Sequence, residues 1–303
     1  MKTSLDCIPC FVRQTLDAAR QLSADMAFHE RILRDVLRWT SAMDLNQSPP
    51  VLAQRIHRHL RELTGNDDPY RQAKEDQNRM ALALLPELEA TVASAANPLE
   101  TAIRLAMAGN VIDLGAKSAV TASHVRQSVQ HALSEPFVGE TNALRQAVAA
   151  AQNILYIADN AGEIVFDRLL IAQLPPAGVT LAVRGAPVIN DATMADARAA
   201  GLDTLVAVID NGSDAPGTLL DDCSEAFLQC YHRADLIIGK GQGNFETLSD
   251  APGNIFFLFQ AKCPVIAAHV GQPVGTHIMI RSTGRPGHCG EIHHAGDGPP
   301  EYP

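Results

Sequence analysis

The chain has 303 residues, of which 46% are hydrophobic and 19% are charged, and its formal net charge is −10. This composition supplies apolar material for one large core or two modest ones, and it excludes a largely disordered chain. The acidic balance argues against a nucleic-acid binder, because affinity for a phosphate backbone comes largely from clustered Lys and Arg. The densest basic run, residues 55–61, has helical spacing and is predicted to be a solvated helix face.

No stretch of the sequence approaches the roughly 18–20 apolar residues that a membrane span needs. The first residues also lack the apolar stretch of a secretory signal. We therefore expect a cytoplasmic protein that binds no membrane. In a reducing compartment its six cysteines are expected to be free thiols or metal ligands, and they lie at positions 7, 10, 223, 230, 263 and 289.

The first 150 residues are predicted to be helical, because apolar residues recur at spacings of three and four, as at Leu16 and Ala19 and at Ile32 and Val36. Proline breaks a hydrogen bond in a helix interior, so each proline is predicted to mark a helix boundary or a first turn. These prolines lie at positions 49, 50, 69, 86, 98 and 136. The pattern predicts about five to seven helices with few or no strands.

Beyond residue 152 the pattern changes to short apolar runs separated by polar segments. Runs rich in β-branched and aromatic residues predict strands at 153–158, 179–183, 204–208, 236–238, 254–259 and 265–268. Helices are predicted between them, at about 163–174, 192–200, 218–231 and 244–249. This alternation predicts an α/β domain over residues 151–283, with a mostly parallel sheet covered on both faces. Residues 284–303 are rich in Gly, Pro and His and are predicted to form a flexible tail.

Three polar clusters, at residues 159–163, 184–193 and 239–246, each follow a predicted strand. In an open α/β sheet, ligands bind beyond the carboxyl ends of the strands, so the three clusters are predicted to converge on one site. Each cluster taken alone also has a structural interpretation. Asp, Asn and Gly are common in plain turns, and Asn190 could be a helix N-cap.

The residues in these clusters have the chemistry of a phosphoryl-transfer site. Asp159, Asn160 and Asp191 supply two carboxylates and an amide carbonyl, which are the hard oxygen ligands that Mg²⁺ or Mn²⁺ prefers. Lys240 could place a positive charge on a phosphoryl oxygen. A cation, a lysine and backbone donors together would stabilise a transferring phosphoryl group.

Other residues of the clusters have less certain roles. Glu163 and Asp167 share one helix face, where either could orient the attacking water or hold a metal-bound water. Both could instead be ordinary first-turn acids that complement the helix dipole, and this second interpretation is favoured for Asp167. Asn244 and Glu246 lie near the start of the next predicted helix, where unpaired N–H groups favour anions. A kinase or transferase that uses residues 239–243 as a phosphate loop is disfavoured, because this segment lacks the Walker A spacing.

Together these segments resemble the damage-control phosphatase family, whose members were long called domain of unknown function 89 proteins. The resemblance reaches to about residue 280, and its Cys7-Ile-Pro-Cys10 motif is similar to that of the stand-alone prokaryotic subgroup. The motifs of the second half are Asp159-Asn160-Ala161-Gly162-Glu163, the run from Arg184 to Thr193, and Lys240-Gly-Gln-Gly-Asn244-Phe-Glu246. Those of the helical half are Asp68-Pro69-Tyr70 with Lys74 and Asn78, and Gly109-Asn110-Val-Ile-Asp113-Leu-Gly115.

The resemblance implies a three-layer α/β/α domain joined to an N-terminal all-helical region. It implies a divalent cation (Mg, Mn, Co or Ni) held by Asp159, Asn160 and Asp191, and a phosphate contact from Lys240. It also implies hydrolysis of phosphate monoesters of small metabolites, such as sugar phosphates or damaged phosphorylated metabolites. The predicted catalytic residues are Asp159, Glu163 and Lys240. The predicted substrate-binding residues are Asn78, Asn110, Asp113, Asn244 and Glu246.

Several alternatives remain open at the level of the sequence. A carboxylate could attack phosphorus directly and form an aspartyl-phosphate. A protein of the same fold could instead be a non-catalytic regulator that binds a metal or a phosphorylated metabolite. Cys7 and Cys10 could be packing residues, a redox pair or half of a zinc site, and a zinc site would need two more ligands, such as Cys263 brought near by the fold. The sequence does not define the oligomeric state.

Overall fold

The computed structural model describes residues 1–109, 122–134 and 137–282. Within these residues the first half of the chain forms seven helices, in agreement with the predicted all-helical region. They are α1 (Cys7–Leu22), α2 (Met26–Ser41), α3 (Pro49–Thr64), α4 (Arg71–Ser94), α5 (Pro98–Ala108), α6 (Ala122–Ser134) and α7 (Thr141–Ala150). The predicted tail, 284–303, and the predicted site residues Asn110 and Asp113 lie outside the described residues.

The second half alternates strands and helices as predicted. Its strands are β1 (Ile154–Ile157), β2 (Val179–Val183), β3 (Ala207–Asp210), β4 (Leu236–Lys240), β5 (Ile255–Gln260) and β6 (His277–Ser282). Its α-helices are α8 (Glu163–Ile171), α9 (Met194–Ala199), α10 (Glu225–Arg233), α11 (Gly241–Leu248) and α12 (Pro264–Val270). The strands form one sheet in the order β3-β2-β1-β4-β5-β6, in which β6 is antiparallel and the other strands are parallel. The predicted α/β class with a mostly parallel sheet is confirmed.

Both faces of the sheet are covered, so the molecule has three layers. Successive residues of a strand point to opposite faces, and Tyr156 accordingly packs into a core shared with α4 to α8, while Leu155 packs into one shared with α10 to α12. The helical half therefore supplies part of the layer on one face. Helices α1 to α3 form a separate cluster around Phe11, Ile32 and Leu60, and α3 also contacts α11.

Three local predictions were wrong. The apolar run 265–268 belongs to α12, not to a strand, because Pro264 begins a helix there and a short buried run has no periodicity that separates the two structures. Pro86 lies inside α4 instead of at a boundary. The predicted strand 204–208 is displaced to β3, since a short 3-10 helix, Leu202–Thr204, precedes it.

The basic run 55–61 is a solvated face only in part, since Arg55 and Arg58 are exposed. Arg61 of this run is only 17% exposed and forms an ion pair with Asp214, and Arg58 pairs with the same carboxylate. Arg55 lies over the ring of Trp39 at 4.2 Å. The run therefore joins α3 to other parts of the protein. None of the described helices is long and apolar enough to cross a membrane.

Candidate active site

The first two polar clusters meet at the carboxyl ends of β1 and β2. Asn160 and Asp191 form an isolated antiparallel bridge, and the backbone N–H of Ala192 donates to the carbonyl of Asp159 at 2.8 Å. The side chains of Asp159, Asn160 and Asp191 are all at least nine-tenths buried. The parallel pairing of β1 with β2 thus places the three predicted metal ligands side by side, as the position of each cluster after a strand implied.

The turn after β1 depends on Gly162 and on Asn78 of α4. Gly162 has φ of +73° at the N-cap of α8, a backbone conformation that favours glycine. Its N–H donates to Asn78 Oδ1 at 2.7 Å, and Asn78 Nδ2 donates to Asp196 at 2.8 Å. Asn78 was predicted to bind substrate, but in the structure both ends of its buried amide contact protein. It fixes the turn that carries Asp159 and Asn160.

The amide of Asn160 has a defined orientation. Its Nδ2 donates to Asp159 Oδ2 at 2.7 Å and to Glu163 Oε2 at 3.2 Å. Because the amide nitrogen donates to both carboxylates, the carbonyl Oδ1 faces away from them. An amide held in this way presents an oxygen ligand, which is the donor that a hard cation needs.

Arg184, the first residue after β2, was not predicted as a site residue. Its Nε donates to Asp191 Oδ2 at 2.7 Å, its Nη2 lies 3.7 Å from Asp159 Oδ1, and its side chain is 1% exposed. The guanidinium also contacts Thr218 and Asn244 at 3.3 Å. Arg184 therefore connects the two carboxylates predicted to bind metal to the third cluster. Its position directly after a strand was the available signal.

Both ends of the Asn244 side-chain amide form hydrogen bonds within the protein. Its Oδ1 accepts from Thr218 Oγ1 at 2.8 Å, and its Nδ2 donates to the carbonyls of Lys240 and Ala158 at 2.6 and 3.1 Å. The residue is fully buried. In this arrangement Asn244 connects β1, β4 and α11, and its predicted contact with phosphate stays a prediction.

The side chain of Lys240 is buried and points towards α5 and α8. Its Nζ donates to Glu163 at 2.7 Å, to Asp167 at 2.6 Å and to the carbonyl of Ala106 at 2.8 Å, so its three protons all have protein acceptors. Burial opposes its charge, but the carboxylates of Asp167 and Glu163 outweigh burial and raise the pKa of Lys240. This differs from the predicted contact with phosphate, and the residue instead stabilises the two acidic side chains of α8.

The site contains more negative than positive charge. Burial, followed by the neighbouring Glu163 and Asp191 carboxylates, raises the pKa of Asp159 well above its usual range. Burial also raises the pKa of Asp167 to about 6, against the lowering effect of Lys240. The four buried carboxylates are matched by two buried cations, Lys240 and Arg184. A divalent cation would supply the missing positive charge.

The ligand set fits a hard cation only if the amide of Asn160 takes part. Among the described residues, no group of three or more His, Cys, Asp and Glu side chains is arranged to hold a metal ion. Two carboxylates, from Asp159 and Asp191, and one amide oxygen form a set of oxygen donors. Such a set suits Mg²⁺ or Mn²⁺, which keep several water ligands, and does not suit zinc.

Gly241 leaves room for the Asp159 carboxylate. Gly241 has φ of +76°, and a Cβ built on it would lie 1.8 Å from Asp159 Oδ2. The N-terminus of α11 therefore packs directly against the carboxylate at the end of β1. This close approach explains the glycine at position 241.

Glu246 and Lys262 lie at the side of the site that faces α1. Glu246 Oε1 accepts from Gln242 Nε2 at 2.7 Å, and burial raises the pKa of Glu246 to about 7. The charge of Lys262, just after β5, lowers the pKa of both Glu246 and Asp159. Lys262 therefore lies close enough to influence the predicted metal site. Sequence reasoning missed it, although it also follows a strand.

The described cysteines are free thiols, as expected. Burial, together with nearby Cys263 and Glu246, raises the pKa of both Cys7 and Cys10. Cys263 is thus near the pair, as the zinc alternative required. The absence of a suitable ligand group among the described residues gives that alternative no support.

The chain is similar to known proteins over most of its length. Residues 3–278 match the family described as the damage-control phosphatase ARMT1-like domain, and the chain belongs to this family. A damage-control phosphatase of Pyrococcus horikoshii is 33% identical over 289 residues, which cover 93% of this chain and 99% of that protein. A damage-control phosphatase of Archaeoglobus fulgidus is 31% identical over 284 residues, which cover 91% of this chain and 97% of that protein.

A solved structure supports the same conclusion. The crystal structure of a DUF89 family protein from Pyrococcus horikoshii matches with a TM-score of 0.85 and 32% sequence identity. The match covers 93% of this chain and all of that chain. The predicted family and the predicted class of activity, a phosphatase, are confirmed.

Proposed function

We propose that this protein is a divalent-metal-dependent phosphatase that hydrolyses phosphate monoesters of small metabolites. The observation that carries the proposal is the orientation of the Asn160 amide. Hydrogen bonds to Asp159 and Glu163 hold its nitrogen, so its oxygen is directed away from those two carboxylates, and we assign that oxygen to the cation as a third hard ligand beside Asp159 and Asp191. The excess of buried carboxylates over buried cations in the site also supports a bound divalent cation.

Each residue then has a distinct task. Asp159, Asn160 and Asp191 would hold the cation, which is Mg, Mn, Co or Ni. When bound, that cation would act as a Lewis acid that stabilises the negative charge of a phosphoryl group. Arg184 orients the Asp191 carboxylate through its Nε. Glu163 orients the Asn160 amide and is itself held by Lys240.

The cation that we assign to the phosphate side of the site is Lys262, not Lys240. Lys240 directs its ammonium at three protein acceptors, whereas Lys262 follows β5, two strands from β1 in the sheet, and its charge acts on Asp159. A lysine in this position lowers the energy of the negative charge that develops on a phosphoryl group during transfer.

The substrate class and location belong to the same proposal. Both named relatives are called damage-control phosphatases, which supports small phosphorylated metabolites as substrates. The free thiols of the described cysteines support the cytoplasm, where thiols stay reduced.

Phosphate release tests the proposal directly. We expect the protein to hydrolyse p-nitrophenyl phosphate or fructose 1-phosphate with Mg²⁺, Mn²⁺, Co²⁺ or Ni²⁺, and to lose activity when the metal is chelated. Asp159→Ala is expected to reduce turnover by at least about 100-fold, as loss of a principal electrostatic group does. Asp191→Ala is expected to weaken metal affinity by about 10-fold or more.

Three results would contradict the proposal. Undiminished turnover in chelator would exclude metal dependence, and near wild-type turnover in Asp159→Ala with metal still bound would exclude that residue's role. Thermal stabilisation by a phosphorylated ligand with no turnover under any metal would instead indicate a non-catalytic binding protein.

A further inference from the structure

Helix α3 is connected to the metal-ligand loop by Arg61, a residue outside the site described above. Arg61 Nη1 donates to the carbonyl of Pro187 at 2.6 Å, and its Nη2 forms an ion pair with Asp214. Pro187 begins the loop 187–191, which ends at the predicted metal ligand Asp191. A single guanidinium therefore connects this loop with the loop after β3.

The loop 187–191 contains a strained residue. Ile189 has φ of +45°, and it is the only described non-glycine residue with a positive φ. This conformation is unfavourable for a β-branched side chain by about 1–2 kcal/mol, so the loop holds it only when other contacts determine its path. The contact from Arg61 to Pro187 lies two residues before Ile189, and Asp191 lies two residues after it.

Asp214, the acidic partner of Arg61, is itself firmly held. Its carboxylate accepts from Gln54 at 2.7 Å and from Arg58 Nε at 2.9 Å, and its side chain is 9% exposed. The adjacent Ser213 carbonyl accepts the N–H of Gly185 at 2.8 Å, just before the loop. Arg61 therefore links the loop 187–191 to Asp214, a residue whose own position is fixed by several hydrogen bonds.

We propose that Arg61 is a positioning residue that sets the metal affinity of the site by holding the loop 187–191 through the Pro187 carbonyl and Asp214. The loop in turn presents the Asp191 carboxylate to the cation. This inference rests on the proposed function, because it assigns a role in binding the divalent metal. The described contacts of Arg61 are to the Pro187 carbonyl and Asp214 and not to the predicted metal ligands, so its effect is transmitted along the backbone of the loop.

The test is a titration of the purified full chain with Mn²⁺, with free Mn²⁺ measured by electron paramagnetic resonance. We expect Arg61→Gln to raise the Mn²⁺ dissociation constant by about 10-fold, the size typical of losing a residue that orients a ligand. At saturating Mn²⁺ the turnover of p-nitrophenyl phosphate is expected to return to near the wild-type value. A general loss of folding would not be repaired by added metal.

Arg58→Gln is the matched control. Arg58 lies on the same helix and contacts the same Asp214 carboxylate, but it makes no described contact with the loop 187–191. We expect its dissociation constant to stay within about 3-fold of wild type. Equal shifts in both variants would assign the effect to the packing of α3 and overturn the proposal.

The remaining outcomes are also decisive. If wild type binds Mn²⁺ and Arg61→Gln binds it equally well, the positioning role is wrong and the proposed function stands. If wild type binds no divalent metal, the proposed function fails and this inference fails with it. If Arg61→Gln does not fold, Arg61→Lys serves in its place, because lysine keeps the charge but lacks the fork that reaches two acceptors.

Discussion

Gly241 shows how a single missing side chain shapes the site. A methyl group at this position would occupy the space of the Asp159 carboxylate, 1.8 Å from Oδ2. We expect Gly241→Ala to displace that carboxylate and to reduce metal-dependent turnover by about 100-fold, similar to loss of an essential electrostatic group. The measurement is turnover of p-nitrophenyl phosphate at saturating metal.

Gly65→Ala provides the control for backbone strain. Gly65 has φ of +63°, close to the φ of Gly241, but a Cβ there meets nothing within 4 Å. This variant should lose about 1 kcal/mol of stability and keep its activity. Equal activity in the two variants would show that the Asp159 carboxylate tolerates the methyl group.

For individual site residues, the sequence predicted where the backbone lies but not where the side chain points. Asp159, Asn160 and Asp191 follow parallel strands, and parallel strands bring such residues to one edge of the sheet. The direction of a side chain was not predictable in the same way. Lys240 is the last residue of β4 and points into the core towards α8, because the acids of that helix compensate its charge. Its partner Asp167 was interpreted as an ordinary first-turn acid.

At the scale of secondary-structure elements, Lys240 connects β4, α5 and α8. Its ammonium connects β4 to Glu163 and Asp167 of α8 and to the end of α5. Lys240→Met would leave both carboxylates buried without their cation, and we expect it to reduce the free energy of unfolding by about 3–5 kcal/mol. Urea denaturation followed by circular dichroism measures this change.

An exposed ion pair gives the comparison. Arg34 and Glu30 are 66% and 64% exposed on α2, so Arg34→Met should change the free energy of unfolding by no more than about 0.5 kcal/mol. If Lys240→Met is as stable as Arg34→Met, the buried network does not support the fold.

The elements themselves were predictable where the pattern was long or well bounded. Asn97-Pro98 opens α5 as expected, with the Asn97 side chain accepting from Glu100 N–H. Strand β6 was not predicted. It lies antiparallel at the sheet edge, so the alternation of strands with crossover helices gave no indication of it.

At the scale of the whole molecule, the helical half and the sheet share a core but α1 to α3 form their own cluster. Arg58, Arg61 and the contact of α3 with α11 tie that cluster to the rest. We therefore expect one cooperative unfolding transition. The chain has a single tryptophan, Trp39 of α2, so its fluorescence reports on the cluster while far-ultraviolet circular dichroism reports on all helices.

Coincident denaturation curves from the two probes would support a single cooperative unit. A fluorescence transition at lower denaturant concentration would show that α1 to α3 unfold first and would contradict this expectation. Asp214→Ala, which removes the acidic partner of both arginines, is expected to separate the two curves. The sequence did not reveal this coupling, because it depends on residues about 150 positions apart.

The segment that precedes α7 also affects how copies of this protein behave towards one another. Val138 pairs with Ile278, and the N–H of Met279 donates to the Val138 carbonyl at 2.7 Å, along the outer side of β6. Gly139 permits this approach, since a Cβ there would lie 2.6 Å from the Met279 carbonyl oxygen. An open strand edge recruits strands from other chains, and here the chain occupies part of that edge with its own backbone. At the opposite edge β3 is only four residues long and ends in Asp210, so neither edge offers a long apolar template for aggregation.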